Sequence, residues 1–219
     1  MNSIIQQINN CTPRELIAHI PTLANKHIFS IGVTLKEKIL LLLMSKQLCN
    51  NSIVVEVGTY LCGSAAIIAE ANKNCKLFCV DTFDDIPTGP NHAQMISNSL
   101  GEGKSRTLEN VKEFIKEYEN INLVKVDGRD AVANDWNTMI DVYFEDGNHW
   151  EPTLSKNIEY WTQWVKPNGY MILHDHRPNL KEGTWGRYPD VEKVVAKLQQ
   201  DKQWTFIDFV DSMAIFQKV

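Results

Sequence analysis

No block of basic residues occurs in this chain: 22 Lys and Arg stand against 27 Asp and Glu over 219 residues, a net charge of -5. That balance argues against DNA or RNA as an obligatory partner. No apolar run is long enough to span a bilayer. The longest, Ile39-Leu-Leu-Leu-Leu-Met44, is flanked closely by charge and predicts a buried helix over residues 35–48. Residues 1–10 are polar and lack the charged start and apolar centre of a signal peptide, so a soluble protein with no membrane partner is expected. The five cysteines are an odd number without Cys-x-x-Cys spacing, as expected of reduced, mostly buried thiols in a cytoplasmic protein. The glycine turn at residues 58–63 carries neither the Gly-Lys-Ser/Thr of a phosphate loop nor the Gly-x-Gly-x-x-Gly of a dinucleotide fold.

What is present is concentrated in Ile53-Val-Val-Glu-Val-Gly-Thr-Tyr-Leu-Cys-Gly-Ser-Ala-Ala66. Residues 53–57 read as a buried parallel strand, and the glycine-bearing turn from Gly58 to Gly63 follows it. Ser64, Ala65 and Ala66 then open a helix. Glycine lets a ligand approach the backbone, and a helix start offers unpaired N–H groups. Glu56 beside this loop would repel a pyrophosphate and suit a cationic ligand, such as one bearing a sulfonium or ammonium group.

The length suits one sizeable core, so residues 1–219 are expected to form a single domain. Thr12-Pro-Arg-Glu15 and Thr34-Leu-Lys-Glu37 have capping-box form, which predicts two helices capping the fold within residues 1–50. Strands are predicted at residues 53–57, 76–81, 122–127, 140–146 and 170–175, with helices between them at 107–118 and 153–165. A helix at 190–200 and a closing hairpin of 204–209 with 212–218 complete the pattern. These repeated β-α units predict an α/β fold: a doubly wound, mostly parallel seven-stranded sheet with one antiparallel strand. Residues 84–104 are rich in Gly, Pro, Asn and Ser and leave the ligand-binding edge of the sheet, so they read as a substrate lid.

The predicted strands end in acids: Glu56, Asp81, Asp127, Asp146 and Asp175. Asp81 lies about one β-α unit beyond the glycine loop, where a carboxylate can accept from ribose hydroxyls. Phe144-Glu-Asp-Gly-Asn-His-Trp150 pairs with Leu173-His-Asp-His-Arg177 on neighbouring strand ends. Carboxylates there suit a hard divalent ion, with Asp146 and Asp175 as ligands. His149, on the turn beyond Asp146, has the side chain best suited to taking a proton near neutral pH.

The strand-loop-helix resembles motif I of the class I S-adenosylmethionine-dependent methyltransferases, with Glu56, Gly58 and Ser64 in register and Cys62 where a glycine is usual. The runs Asp141-Val-Tyr-Phe-Glu-Asp-Gly-Asn-His-Trp150 and Trp164-Val-Lys-Pro-Asn-Gly-Tyr-Met-Ile-Leu-His-Asp175 are similar to the macrolide-sugar O-methyltransferase and cephalosporin-hydroxylase-like family. Trp185-Gly-Arg-Tyr-Pro-Asp-Val191 extends the likeness. The resemblance implies a Rossmann-like methyltransferase fold binding S-adenosylmethionine against Glu56, Gly58, Thr59, Tyr60, Gly63, Ser64, Asp81 and Asp146. Asp127 and Gly128 would hold the adenine amine. It further implies magnesium on Asp146, Asp175 and His176, with His149 as the base toward a hydroxyl of a small-molecule or glycan acceptor. Asn168 replaces a glycine of the family pattern, and His176 replaces its usual Asp or Asn, which would favour a softer ion. A non-catalytic binding or regulatory protein is the alternative, and self-association is left open. A nicotinamide-dependent oxidoreductase is disfavoured by Glu56 and the missing glycine.

Overall fold

The β-branched and apolar runs form strands wherever a turn residue or an acid stops them. The computed structural model describes residues 1–12, 32–84, 90–126, 135–181, 184 and 186–219. The strands are β1 (Ile53–Val57), β2 (Lys76–Asp81), β3 (Ile121–Lys125), β4 (Ile140–Glu145), β5 (Val165–Leu173), β6 (Trp204–Val210) and β7 (Met213–Lys218). They make one sheet in the order β3-β2-β1-β4-β5-β7-β6. The first five are parallel, and β7 runs antiparallel to both its neighbours. The strand order reverses between β1 and β4. Their C-terminal ends flank the crevice in which open α/β sheets bind ligands.

Helices cover both faces, as two buried clusters show. The helices described are α1 (Asn2–Asn10), α2 (Leu35–Gln47), α3 (Gly63–Ala71), α4 (Pro90–Leu100), α5 (Leu108–Phe114), α6 (Thr153–Thr162) and α7 (Pro189–Leu198). Val54, Leu77, Phe144 and Ile172 pack with Leu40, Leu41 and Ile68 on one face. Val55, Val57, Tyr143 and Phe216 pack with Trp161, Val194 and Val195 on the other. Trp161 and Trp204 are buried in this second layer, as structural residues should be. Among the described residues, no helix is long and apolar enough to cross a membrane.

Several boundaries differ from the sequence expectation. Residues 84–104 are not one long structureless loop: α4 occupies Pro90–Leu100, with Ile96 and Leu100 buried. The flanking Gly and Pro residues mask that four-residue apolar spacing, and Pro90 stands at the helix start, where its missing N–H is harmless. α5 is shorter than expected and begins after Thr107, whose hydroxyl accepts from Asn110 N–H at 3.3 Å. α1 was not anticipated in a polar segment; its Ile4, Ile5 and Ile8 are all buried. The helix expected after Thr12 lies mostly outside the described residues. α2 begins with the expected capping box, Thr34 with Glu37.

Candidate active site

The glycine loop is built around a carboxylate that faces inward. Glu56 alternates with Val55 and Val57, so it shares the face of Val54 and lies fully buried. Its Oε2 accepts from the Thr59 hydroxyl at 2.7 Å, and its Oε1 accepts from the Ser64 hydroxyl. Burial pushes the Glu56 carboxyl up to about 7, although the Ser64 and Thr59 bonds pull against it. Glu56, Thr59 and Ser64 therefore tie β1 to the start of α3. This corrects the expectation of a carboxylate facing a cationic ligand, since both oxygens are engaged beneath the loop.

Gly58 has a φ of +83°, and a Cβ there would stand 2.2 Å from the Asp146 carbonyl oxygen and 2.3 Å from Gly147 Cα. Only glycine allows β1 and β4 to end this close. Gly58 N–H donates to Val80 at 2.9 Å, and Asp146 N–H donates to Val57 at 2.9 Å. Tyr60 and Cys62 also have positive φ, and the Cys62 N–H closes the turn onto Thr59 at 2.7 Å. Gly63 is the first residue of α3.

Asp81, at the end of β2, holds the loop from the other side. Its Oδ2 accepts from Tyr60 N–H at 3.0 Å, and its Oδ1 accepts from Phe83 N–H at 3.0 Å. The Arg106 guanidinium pairs with Oδ1 at 2.9 Å and donates to the Asp84 carbonyl at 2.7 Å. It also lies 5.4 Å from the centroid of the Tyr60 ring. The carboxylate predicted to meet a ribose is thus set at the sheet edge, with Arg106 beside it. Asp127 and Gly128 lie outside the described residues.

Across the crevice the acids are arranged differently. Asp146 follows β4 and Asp175 lies two residues past β5, where a φ of +62° turns the chain. Ligand atoms of Asp146, His149 and Asp175 all lie within 4.8 Å of one another. His149 Nε2 is 3.2 Å from Asp175 Oδ2 and 3.8 Å from Asp146 Oδ1. Its ring stacks on Tyr188 at 4.1 Å and 15°, and Trp150 meets Tyr188 edge-on at 5.7 Å. Arg177 reaches Asp175 Oδ1 at 2.7 Å. Yet His149 Nε2 and Asp175 Oδ1 are buried without a hydrogen bond of good geometry among the described residues. A ring nitrogen facing two carboxylates without such bonds calls for positive charge between them, as a proton or a cation. This donor set fits a divalent ion held by Asp146 and Asp175.

His176 is not brought into this group, which corrects its expected place beside Asp175. Its ring stacks on Phe209 at 4.7 Å and 9°, and its N–H donates to Ser212 at 2.9 Å. The turn at Asp175 separates the two side chains instead of joining them. The buried histidine at the site is His174, whose Nδ1 lies 2.8 Å from Asp146 Oδ1 and whose Nε2 lies 3.4 Å from Glu37 Oε2. Burial alone would lower the His174 pKa, but Asp146, Glu37 and Asp175 hold it well above the usual histidine range. Burial would likewise raise Asp146, but the His174 and His149 imidazoles hold it down to about 2. Burial raises Asp175, with Asp146 adding to it, against the pull of His174, His149 and Arg177.

Sequence reasoning missed His174, Glu37 and Glu145 as parts of this site. Glu145 is buried; its Oε1 accepts from Gly147 N–H at 3.0 Å, and its other oxygen accepts from the Tyr143 hydroxyl. Burial pushes it up to about 7. It shapes the turn that presents Asp146. Two acids in succession, Glu145-Asp146, were the available signal: alternation sends one inward and leaves the next at the strand end.

The comparisons agree with this geometry. The solved structure of a Bacillus cereus O-methyltransferase in complex with SAH is 12% identical, with 100% of this chain and 96% of that chain covered at a TM-score of 0.56. A SAH-bound methyltransferase of Podospora anserina is 14% identical, covering 95% and 89% at a TM-score of 0.59. An O-methyltransferase of Streptomyces achromogenes involved in tomaymycin synthesis, in complex with SAM, is 11% identical, covering 99% and 96% at 0.54. Identities this low carry the fold. The family is carried by residues 55–176, more than half the chain, which match the methyltransferase domain family and contain the glycine loop, Asp81, Asp146, His149 and Asp175. The chain belongs to that family and is a class I S-adenosylmethionine-dependent methyltransferase.

Proposed function

We propose that this protein transfers the methyl group of S-adenosylmethionine to a hydroxyl of a small molecule or sugar, with a divalent ion at the acceptor side. The observation that carries this reading is the convergence of Asp146, His149 and Asp175 across the crevice from the glycine loop. The cofactor would lie over Gly58 to Gly63 and reach Asp81 with its ribose, while the acceptor would enter from the β4–β5 side. Asp146 and Asp175 would hold the divalent ion, magnesium by its preference for carboxylates. Such an ion, when bound, lowers the pKa of a hydroxyl it contacts.

The chain's own residues do the rest. His149 Nε2, held toward the carboxylates by the stack on Tyr188, accepts the acceptor's proton. The freed oxygen then attacks the sulfonium methyl in line, and the thioether leaves as S-adenosylhomocysteine. The donor is already activated, so much of the acceleration is positioning. From the segment expected as a lid, α4 would cover the acceptor, and residues 85–89 lie outside the described residues. The five free cysteines support a cytoplasmic location.

The test is metal binding and turnover together, with a panel of hydroxylated acceptors. Chelation is expected to abolish methyl transfer, and His149→Ala is expected to lower it while Mn2+ still binds. Loss of Mn2+ in His149→Ala would recast His149 as a third ligand. Full activity after chelation would remove the ion from the mechanism.

A further inference from the structure

We infer that Glu37 and His174 form a positioning pair that fixes the Asp146 carboxylate and makes α2 a working part of the methyl-transfer centre. The inference rests on Asp146 acting as proposed above and extends it to a helix 109 residues away in sequence, a separation read from residues 37 and 146.

A capping box explains only part of what Glu37 does. In that motif the N3 carboxylate accepts from the N-cap N–H, and Glu37 Oε2 does so with Thr34 at 2.7 Å. A helix start of this kind normally sits at the surface, where water solvates the charge. Glu37 is instead 0% exposed. Its Oε1 accepts from the Ser212 N–H at 2.8 Å and the Ser212 hydroxyl at 2.7 Å. Among the described residues, the imidazole it meets is that of His174, 3.4 Å away. Thr34 and Ser212 already give this buried carboxylate three donors, so the further contact with His174 calls for a role of its own.

His174 supplies one, because its other ring nitrogen reaches Asp146. Nδ1 lies 2.8 Å from Asp146 Oδ1, and the ring is 3% exposed, edge-on to Phe144 at 6.1 Å. The ring is thus held at both nitrogens and on its face. A carboxylate at a strand end has freedom at χ1 and χ2, and binding geometry is degraded when it uses that freedom. The Glu37–His174 pair removes it. Residues that orient a metal-binding group in this way commonly change metal affinity by about ten- to a hundredfold when altered. The consequence is that α2 does more than cap the fold: its register sets Asp146.

Glu37→Gln is the discriminating variant. Glutamine is accepted at the N3 position of a capping box, so α2 should still form. Thr34 and His174 share Oε2, so an amide oxygen kept there for the cap offers the ring only a neutral, weaker acceptor and turns the amide NH2 onto Ser212. Three quantities are measured on the full chain: Mn2+ affinity, SAH affinity, and the ring N–H resonance of His174 in protein carrying 15N-labelled histidine. In the unaltered protein a slowly exchanging ring proton between His174 and Glu37 is expected. In Glu37→Gln that resonance should be lost and Mn2+ should bind about ten- to a hundredfold more weakly, with SAH affinity within twofold. His174→Gln should show the same split. If Mn2+ affinity is unchanged in both variants, the pair is structural only and the inference is overturned.

If the unaltered protein binds no Mn2+, the metal half of the proposed function has failed, and the pair is judged by another reporter. The ring-nitrogen shift of His149, 3.8 Å from Asp146, should then move in Glu37→Gln; an unmoved His149 overturns the pair. Should Glu37→Gln fail to fold, His174→Gln carries the same readouts.

Discussion

The two sides of the crevice use the same residue type for opposite purposes. On the glycine-loop side, Glu56 and Asp81 are each bonded on both oxygens by their own chain: two hydroxyls on one, and two backbone N–H groups and a guanidinium on the other. On the β4–β5 side, Asp146, His149 and Asp175 crowd together while His149 Nε2 and Asp175 Oδ1 remain without good hydrogen bonds. A carboxylate bonded on both oxygens by its own chain shapes the loop, and with about four acceptor positions it can take a further partner as well. One held near others with capacity left over is poised for a ligand. An acid at a strand end therefore does not by itself say which it is. Its neighbours decide, and here they divide the sheet edge into a side that shapes the glycine loop and a side with capacity left for a ligand.

The comparison breaks most sharply at His149. His149→Ala is expected to lower turnover by about a hundred- to ten-thousandfold, the range for loss of one general base, with Mn2+ and SAH still bound. Asp146→Asn should lose metal and activity together, because a neutral amide is a poor substitute for carboxylate toward a hard ion. Steady-state methyl transfer beside metal titration separates the two. A fully active His149→Ala would leave the β4–β5 side as scaffold too, and the contrast would vanish.

A smaller effect sharpens the other side. Asp81→Asn keeps an acceptor for Phe83 and Arg106 but removes the charge offered to a ribose. SAH binding should weaken about ten- to a hundredfold by calorimetric titration, as expected for a lost charge-assisted pair. Unchanged affinity with an intact fold would make the whole glycine-loop side scaffold. Gly58→Ala tests the seam between the sides. The left-handed backbone alone costs roughly 1–2 kcal/mol in a chemical melt, and the Cβ must also displace the Asp146–Gly147 backbone. Mn2+ affinity should fall with it, although Gly58 touches no ion.

Much of this was legible because strand periodicity and strand-end acids are local signals. The order of elements, the hairpin closing the sheet, and Asp146, His149 and Asp175 were all readable from segments of a dozen residues. What was not readable depends on where a side chain points across long sequence distances. Glu37 reads as half of a capping box, which it is, but its contact with His174 spans 137 positions. His176 was expected beside Asp175 because the resembling family places a metal ligand directly after that acid. The left-handed turn at Asp175 sends His176 onto Phe209, and β6 is invisible from residue 176. Glu56 illustrates the reverse error. Its charge suggested a cation beyond the loop, whereas alternation along β1 turns it into the core, where hydroxyls wait three and eight residues later.

That reversal has a measurable consequence, the smallest expected and the most diagnostic. The Glu56 carboxyl stands at about 7 in the folded protein against an ordinary value of 4.5, because burial penalises its charge. The folded state keeps this proton over an interval in which the unfolded chain has released it. Stability therefore falls as pH rises from about 4.5 to about 7, by roughly 1.4 kcal/mol for each unit, and levels off above. Glu145, also pushed up to about 7 by burial, contributes a slope of the same sign. Two other groups act outside the lower part of this window. The support from Asp146 is lost only as pH falls below 3.8 toward about 2, and that from His174 only as pH rises above 6.5. Asp175, raised by burial, and His176, lowered by burial, also act near this window, so the Glu56 share is read as the difference between parent and variant in denaturant titrations between pH 4.5 and 6.5. Glu56→Gln should remove the Glu56 share of the slope, roughly 1.4 kcal/mol for each unit, and exceed the parent's stability near neutrality. SAH affinity should stay within a few-fold, since the amide can still bond Thr59 and Ser64. If the slope is unaltered, or if SAH binding collapses, Glu56 acts on the ligand rather than on the loop, and the division between the two sides of the crevice is drawn in the wrong place.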